Sequence, residues 1–502
     1  MGGTEGEKPG LQEGDFREER QREVPMNHTD RVIQFIRDAE WDGFPPDVQR
    51  QAKRCLMDTL GALIAGSQTP VGRLMSQFVQ KQFQGDEASI LVSGERVSFV
   101  GAALANGFSQ NALDIDDGYR LVKGHPGACV LPVLLAASEI PSGLSGTAFL
   151  AGLVVGYEVG IRAGIIRHAV YQTYHASGSW GALAGVAASG KILGVDAGIL
   201  REAMGAAEYH APIAPMMKGI ATPSMGKDGI GWGCMVAASS LLMAQNGFTG
   251  IEPIFSDAAE AEWIESLGNR FEILSLYFKP YAACRWAQPA VAGALKIAGE
   301  HRLSPLEIEL VRVRTFDAAA ALSRRHPSNT EEAQYNLSYP VAAALIDSEV
   351  GPRQVLPPRI HDTAVLELAD KVEVEVEEKY ERAFPAKAYA EVIVHTKDGR
   401  KMISGTMEAI WEPPGTLPTD GELEKKFNWL VEPVLGSGRA RTLLSIIWEF
   451  EHLGDIGPFI ECCVVKPAGS ASGKAQGHDA ADRFRRKRSG QGWRSKKSLV
   501  RR

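Results

Sequence analysis

The densest group of ionisable side chains lies in 111-NALDIDDGYRLVKGHPGACVLPVLLAASE-139, directly before a strongly apolar run. Asp114, Asp116 and Asp117 fall within four residues, and His125 comes just before the apolar run. Carboxylates and an imidazole beside the start of a buried helix are where shifted pKa values and acid–base groups arise. The structural alternative is that Asp117 begins a solvated turn and His125 only enters a helix.

A second candidate is His175, which precedes another helix of small residues. Backbone or serine donors at such a helix start can hold a carboxylate. The alternative is that Ser177 or Ser179 is only an N-cap, since these residue types satisfy the first free N–H groups of a helix.

A third candidate is the glycine-rich segment 215-PMMKGIATPSMGKDGIGWG-233, which contains Lys218 and Lys227. It lacks the G-x-x-x-x-G-K-[ST] pattern and a preceding strand, so it is not a P-loop. Its lysines and loop amides could still hold a small polyanion.

A fourth candidate is 279-KPYAACRWAQPA-290, where Lys279, Tyr281, Cys284 and Arg285 stand close together. The segment lies where helical patterning gives way to strand patterning, and junctions between domains often form ligand clefts. Two structural alternatives remain open. Arg285 could form a buried arginine–carboxylate tie between domains, and Cys284 could be packing rather than a thiolate of low pKa.

The elements that must position these residues are mainly helical up to about residue 250. Apolar and small residues recur there with helical period, as in Val48, Ala52, Cys55, Leu56 and Leu60. The 53 glycines lie largely inside these apolar runs, which indicates closely packed helices. From about residue 306, IELVRVRTF, KVEVEVEEKY and AYAEVIVHTKDGRKMISG alternate as strands do, 331–348 is predicted helical, and helices return over 420–453.

Composition excludes several functional classes. Six scattered cysteines, without C-x-x-C or zinc spacing, argue against a disulfide framework, a metal site and an iron–sulfur hydratase. We expect no metal and no cofactor.

The formal charge of −7 combines +9 over residues 481–502 with −16 elsewhere, and so acidic a body does not favour nucleic acid. Binding of nucleic acid through the RRKR tail is the alternative. No uninterrupted apolar stretch reaches the roughly 18–20 residues that span a bilayer. The first 27 residues fit neither a secretory signal nor a mitochondrial presequence. We therefore expect a cytoplasmic protein without a membrane partner.

Taken in order, DIDDGYR…GHPGA, YHASGSWGALAGVAA, TPSMGK…GWGCMVAASSLLMAQNGFTG, KPYAACRW and EAQYNLSYPVAAAL resemble the MmgE/PrpD family over roughly residues 28–463. That family contains 2-methylcitrate dehydratases, cis-aconitate decarboxylases and an iminodisuccinate epimerase. The resemblance implies a mainly α fold, in which a large helical domain from both chain ends carries an inserted, smaller α+β lid, and it implies a homodimer. We expect a disordered arm over 1–27, helical parts over 28–272 and 412–463, a lid over 273–411 and a disordered basic tail over 464–502.

The resemblance also implies which residues form the site. The family's acid matches Asp114 or Asp116, and its two histidines match His125 and His175. The lysine after Ser-Met matches Lys227 rather than Lys218. The lysine that opens the lid motif matches Lys279, and the tyrosine of the EAxxxxxY helix matches Tyr339, which we expect to take part in proton transfer. The substrate contacts that we expect are Asp116, Lys279, Arg285, Tyr281 and Cys284.

One departure from the family pattern bears on the reaction. Where decarboxylases resemble F-P-A-H, this chain has Tyr281-Ala282-Ala283-Cys284, and Trp286 replaces the dehydratase-type histidine two positions later. The first difference argues against a decarboxylase, and the second leaves the identity of the dehydratase base open.

The chemistry common to the family is proton removal from a carbon next to a carboxylate, which requires cations that stabilise the developing charge and groups that move the proton. We therefore predict a metal-independent dehydratase of a 2-alkylcitrate, a tricarboxylate, with His125 and His175 as acid and base. Its alternatives are a decarboxylase or an epimerase of the same family, or a catalytically silent dimeric scaffold.

Overall fold

The computed structural model describes Gly2 and residues 27–256, 260–301, 303–322 and 326–465. The arm predicted over 1–27 and the basic tail predicted over 464–502 therefore lie outside the described residues, apart from Gly2, Asn27, Val464 and Val465.

The described helices alternate with short loops through most of the chain. In chain order they are α1 His28–Asp38, α2 Pro46–Gly66, α3 Pro70–Gln82, α4 Phe99–Asn111, α5 Pro126–Ser138, α6 Gly146–Val170, α7 Gly178–Ile192, α8 Ala197–His210, α9 Met216–Ala221, α10 Ile230–Gln245, α11 Ala261–Glu265, α12 Gln288–Glu300, α13 Asp317–Ala320, α14 Thr330–Gln334, α15 Ser338–Asp347, α16 Pro352–Val355, α17 Thr363–Ala369, α18 Glu378–Ala383, α19 Asp420–Leu435, α20 Ser437–Trp448 and α21 Gly457–Cys462. The strands are β1 Ala88–Ser89, β2 Arg96–Val97, β3 Ile308–Thr315, β4 Val372–Val376, β5 Tyr389–Thr396 and β6 Lys401–Glu408. The prediction of a mainly α fold is confirmed.

The helical domain is built around α5, α6, α7 and α10, which pack closely against one another and against α4. Small residues permit the close approach: a Cβ added at Gly160 of α6 would lie 2.5 Å from Cβ of Ala184 on α7. The face predicted from Val48 to Leu60 is fully buried in α2. The glycine surplus therefore serves helix packing.

Helix α6 alone in the described chain has the length and composition of a membrane span, yet every residue of its most apolar window is buried in the fold. It carries Glu158 and Arg162, whose charged atoms pair at 2.6 Å with no exposed side-chain surface. Arg162 also donates to the carbonyl of Arg270, and Glu158 accepts from the backbone N–H of Ile273. The pair therefore fastens this central helix to the chain that leads into the lid.

The last three helices return to the helical domain. Helix α19 packs along α2, and Leu423, Phe427 and Phe459 share the hydrophobic core of the first 278 residues. The six cysteines are all free.

The lid is built on a four-stranded sheet in the order β4-β3-β5-β6, in which β3 pairs parallel with β4 and antiparallel with β5. Helices α12 and α15 pack together, and α12 covers β5 and β6. The predicted strands are confirmed. Two segments connect the lid to the helical domain: the first crossover, residues 277–287, and the second crossover, residues 409–419. They meet where the N–H of Phe278 donates to the carbonyl of Trp411 at 3.1 Å.

The helix predicted over 331–348 is interrupted. Helix α14 ends before Tyr335, and the side chain of Asn336 accepts from the N–H of Tyr339 at 2.8 Å, so that α15 starts anew. Asparagine side chains compete in this way with the helical backbone. The break turns Tyr335 toward Asp228 of the helical domain and leaves Tyr339 inside the lid.

Replacing Gly160 by alanine should lower the free energy of unfolding by about 1–3 kcal/mol, because the added methyl group overpacks the contact between α6 and α7. The matched control is Gly198→Ala in α8, where an added Cβ meets nothing within 4 Å. The control should change stability by less than about 1 kcal/mol, toward a more stable fold. Urea unfolding of both variants measures the difference, and equal stabilities would contradict this account of the glycines.

Candidate active site

A cavity of about 440 Å³ lies between the helical domain and the lid. Acidic, basic and aromatic side chains converge on it from both domains. Its charged and imidazole groups are Asp114, Asp228, Glu412, Arg120, Lys123, Lys279, Arg285 and His125, and its aromatic and apolar groups include Tyr174, Tyr277, Tyr335, Trp286, Phe384, Met216, Met217 and Ile220.

The loop between α4 and α5 supplies the acid–base groups, and several buried contacts fix its shape. Asp114 adopts a left-handed backbone conformation, with φ of 52°. The ammonium of Lys426 in α19 donates to the carbonyl of Ile115 at 2.6 Å and pairs with Asp58 at 2.5 Å. The amide of Asn111 donates to Asp116 at 3.0 Å. A lysine from the distant α19, itself paired with Asp58 of α2, and the end of α4 thus hold one irregular loop.

His125 stands at the entrance to α5 with both ring nitrogens next to carboxylates. Its Nδ1 lies 2.8 Å from the carbonyl oxygen of Asp117 and 3.2 Å from Oδ2 of Asp116, and its Nε2 lies 3.4 Å from Oδ1 of Asp114. Burial disfavours the imidazolium, but Asp116 outweighs that effect and raises the pKa of His125 to about 9. His125 is therefore a charged proton donor at neutral pH.

Asp117 supports this arrangement from behind. Its Oδ1 accepts from the N–H of Gly127 at 3.0 Å, and its Oδ2 accepts from the hydroxyl of Tyr157 at 2.5 Å. Burial, together with the nearby Asp58 carboxylate, raises the pKa of Asp117 to about 7. The next residue, Gly118, exchanges two backbone hydrogen bonds with Tyr277 of the first crossover. A Cβ at Gly118 would lie 2.2 Å from the Tyr277 ring, so this contact requires glycine.

Two carboxyls in the cavity have opposite pKa shifts. Burial alone would raise the pKa of Asp114, but Lys279, whose Nζ lies 2.8 Å from Oδ1, and then Lys227 lower it below the ordinary value. Burial and the Asp114 carboxylate raise the pKa of Asp228, whose Oδ2 accepts from the hydroxyl of Tyr335 at 3.0 Å. Groups whose environments separate their pKa values are candidates for different proton-transfer roles.

Three side chains of the cavity lie close enough together to be considered as ligands of a metal ion. One ligand atom each from Asp114, His125 and Asp228 lies within 4.8 Å of the others. The Lys279 ammonium, however, already neutralises Asp114, and His125 is protonated at neutral pH. Because metal ligands must be deprotonated, this set fits acid–base chemistry better than a divalent cation.

The rim of the cavity carries two arginines that share one carboxylate. Glu412, buried in the second crossover, accepts from Nε of Arg120 at 2.8 Å and pairs with Arg285, whose guanidinium lies 4.9 Å from the centre of the Tyr277 ring. Arg285 therefore pairs with a buried carboxylate, as the structural alternative predicted, and this pair joins the two crossovers within the cavity lining.

Part of the cavity lining is apolar. Trp286 meets the edge of Phe384 with ring centres 6.2 Å apart, and Phe384 stacks on Phe316 at 4.3 Å. Cys284 lies nearby, and burial raises the pKa of its thiol to about 12, so it is neutral at physiological pH. The cavity lining therefore combines charged groups with an apolar aromatic surface.

Two family models together match most of the chain: the MmgE/PrpD N-terminal domain over residues 30–271 and the MmgE/PrpD C-terminal domain over residues 281–452. The chain belongs to the MmgE/PrpD family. The resemblance inferred from five sequence segments is thereby confirmed, and a lyase-type enzyme is supported.

The curated relatives of this MmgE/PrpD protein include cis-aconitate decarboxylases. One from Aspergillus terreus is 23% identical and aligns with 87% of this chain and 96% of its own length. One from Homo sapiens is 27% identical and aligns with 81% of this chain and 88% of its own. The cis-aconitate decarboxylase-like protein oryM from Aspergillus oryzae is 22% identical, over 86% and 96%.

The structure brings together five of the residues predicted for the site, while Asp116 lies directly behind them against His125. The five that line the cavity are Asp114, His125, Lys279, Cys284 and Arg285.

His175 and Lys227 lie outside the cavity lining. His175 is buried against His168, with ring centres 4.2 Å apart, and its Nδ1 lies 2.7 Å from the carbonyl oxygen of Thr173. Burial lowers its pKa, so it is neutral. Lys227 donates to the carbonyl of Asn111 at 2.6 Å and to Gln334 at 2.7 Å, and thus ties the helical domain to the lid. Neither contacts the cavity space in this structure.

The two predicted tyrosines also lie elsewhere. Tyr339 is fully buried in the lid, where its hydroxyl donates to the carbonyl of Gln354 at 2.5 Å. Tyr281 lines a separate groove with Trp411 and Trp429. Residues 277–279 are extended, so Tyr277 and Lys279 share a side and both reach the cavity, whereas the chain bends over 280–283 and turns Tyr281 away.

Several cavity residues were missed by the sequence analysis. Asp228 immediately follows the chosen Lys227, and Tyr335 precedes the unforeseen helix break, so both lay within recognised motifs. The two-residue spacing to Lys279 is shared by Tyr277 and Tyr281, so spacing alone could not have chosen Tyr277. No sequence signal pointed to Glu412, because only the meeting of the two crossovers brings it to the arginines.

Replacing Asp116 by asparagine should lower the pKa of His125 from about 9 toward the ordinary 6.5, because the carboxylate that stabilises the imidazolium is removed. The titration of histidine ring carbons by NMR measures this shift, with His125→Ala to assign the signal. His168, which burial holds at a pKa of about 4, serves as the internal control. An unshifted His125 would contradict the role given to Asp116.

Proposed function

We propose that this chain is an acid–base lyase that removes water from a 2-alkylcitrate to give the corresponding alkyl-aconitate. The observation that carries the proposal is that one cavity combines an excess of cations, two proton-transfer groups and an apolar wall. A tricarboxylate with an alkyl substituent needs all three.

The charge balance supports a polyanionic substrate. With His125 protonated, the cavity holds five cationic groups against three acidic ones. Since burial raises the pKa of Asp228 whereas Lys279 lowers the pKa of Asp114, Asp228 loses its charge more easily than Asp114. Such an excess of positive charge stabilises carboxylates and the charge that develops on them during proton removal.

Dehydration needs an acid and a base together, and His125 and Asp228 meet that requirement. We assign His125 as the acid that protonates the leaving hydroxyl, because its imidazolium is held by Asp116. We assign Asp228, when ionised, as the base that removes the proton next to the carboxylate, because a raised pKa makes a carboxylate a stronger base. Lys279 would bind one substrate carboxylate beside Asp114.

The apolar wall supports an alkyl substituent on the substrate. Trp286, Phe384, Met217 and Ile220 offer hydrocarbon surface that an unsubstituted citrate would leave unfilled. Each methylene group that they bury would contribute about 0.8 kcal/mol of binding.

Decarboxylation is the second candidate, and the names of the relatives favour it. Loss of carbon dioxide followed by protonation at carbon needs one acid, which His125 would supply. Cys284 stands where decarboxylases are expected to carry a histidine, and its neutral thiol is a poor replacement.

Incubation with citrate, 2-methylcitrate, longer 2-alkylcitrates and cis-aconitate separates the two candidates. We expect alkene absorbance to appear with alkylcitrates and no carbon dioxide to be released from cis-aconitate. Carbon dioxide release without dehydration of any alkylcitrate would replace the first candidate by the second.

His125→Ala should lower the rate of the chemical step by about 10²–10⁴-fold in the same assay. Because the acid must be protonated, the parent rate should hold through neutral pH and fall as the pH passes about 9. Near-normal turnover of the variant would remove His125 from the mechanism. Lys218→Ala, outside the cavity lining, is the matched control.

We also propose that the protein is a homodimer, formed through the helical domain. Large apolar side chains are exposed on and around α8–α10, among them Tyr209, Met217, Trp232, Phe248 and Ile251. We expect these side chains to form the interface, since exposed large apolar groups often mark a site of protein contact.

Light scattering should therefore give twice the 54.2 kDa of one chain. Trp232→Asp should shift the protein to the monomer mass, because a charge in an apolar interface must be desolvated. The control is Leu306→Asp on the lid, where leucine is 79% exposed and the mass should not change. A monomeric parent would overturn this proposal.

A further inference from the structure

The two arginines at the rim are already paired with a carboxylate of the chain itself. Glu412 Oε1 lies 2.8 Å from Nε and 2.7 Å from Nη2 of Arg120, while Oε2 contacts Nη2 of Arg285. All three side chains line the cavity, and Glu412 is only 8% exposed. One buried carboxylate thus neutralises two of the cations available to a polyanionic ligand.

Each arginine also has a second partner that holds it in place. The Arg285 guanidinium lies over the Tyr277 ring, and Arg120 donates to the carbonyl of Ala386. Ala386 directly follows Phe384 and Pro385, which belong to the cavity lining. Both guanidinium groups therefore stay beside the cavity when their carboxylate partner changes.

Exchange of that partner is physically reasonable. A buried guanidinium without a carboxylate is costly, because its charge is desolvated, and burial lowers the pKa of Arg285 to about 10. A ligand carboxylate presents the same two oxygens as Glu412 and can make the same charge-assisted hydrogen bonds. Replacing one carboxylate by another therefore preserves the pairing, whereas an uncharged ligand group would break it.

We propose that Glu412 is a specificity-determining residue, an internal carboxylate that holds the arginine pair until substrate binds and then yields it to one carboxylate of the substrate. The inference rests on the proposed polycarboxylate substrate. It follows that a ligand must carry one carboxylate for the Lys279 end of the cavity and another that displaces Glu412.

Binding of propane-1,2,3-tricarboxylate, measured by calorimetry on the full chain, tests the proposal. This probe has neither a leaving hydroxyl nor an alkene, so binding is separated from turnover. Glu412→Gln should tighten binding on the order of tenfold, because the competing charge is gone. In the Arg285→Gln background, the same substitution should give less than about half of that gain in binding free energy.

The matched control is Glu375→Gln, which breaks another arginine–glutamate pair of the lid, at 2.8 Å from Arg312, on the sheet. It should leave binding unchanged. Glu412→Asp is the second variant, since it keeps the charge, protects the fold and shortens the reach, and it should tighten binding by a smaller factor.

Unchanged or weaker binding by Glu412→Gln, with a lowered melting temperature, would identify Glu412 as a tie between domains and overturn the proposal. Failure of parent and variant alike to bind the probe would contradict it as well. Tighter binding by the variant, combined with no dehydration of any alkylcitrate, would uphold the role of Glu412 and overturn the proposed reaction.

Discussion

Burial of three carboxylates in one irregular loop is the constraint on which the candidate site depends. A buried charge is tolerated only when cations or hydrogen-bond donors compensate it, and within the loop His125 lies beside Asp114 and Asp116. The remaining compensation comes from outside: Lys279 from the first crossover pairs with Asp114, Tyr157 from α6 donates to Asp117, and Lys426 from α19 holds the loop backbone. The geometry around His125 therefore exists only when both parts of the helical domain and the base of the lid have come together. The side chains around His125 therefore reach their positions only as the helical domain and the lid assemble.

The cavity is lined by two kinds of surface, one charged and one apolar. At one end, charges are paired so closely that each ionisable group sets the protonation of its neighbours, which keeps His125 charged and Asp228 easily neutralised. Elsewhere, the rings of Trp286 and Phe384 present mainly hydrocarbon surface and lower the local polarity. The apolar end strengthens every electrostatic interaction at the charged end, because the attraction between charges grows as water is removed. A substrate with carboxylates and an alkyl group would satisfy both surfaces at once.

The sequence predicted the architecture more completely than the site. Periodicity is a local property, so the strands of the lid, the small-residue helices and the return to helices after residue 420 could all be recognised. Residues inside the segments that resemble the MmgE/PrpD family, such as His125 and Lys279, were also predicted correctly as cavity residues. The failures concern orientation: the interruption at Asn336 separates Tyr335 from Tyr339, and the turn at Lys227 directs Asp228 into the cavity instead. Glu412 could not be found, because its partners Arg120 and Arg285 are far away along the chain and meet it only through the packing of the two crossovers.

The return of α19 to the helical domain bears on how the chain is made. Lys426 contacts a loop 311 residues earlier, and α19 covers the face of α2. During synthesis on the ribosome, that face and the loop around His125 must wait, uncovered, until the whole lid and then α19 have emerged. The lid, whose strands and helices lie close together along the chain, can condense first, since local contacts form faster than distant ones. The nascent protein thus passes through a stage with a completed lid and an open helical domain, and exposed apolar surface at this stage makes it a substrate for chaperones.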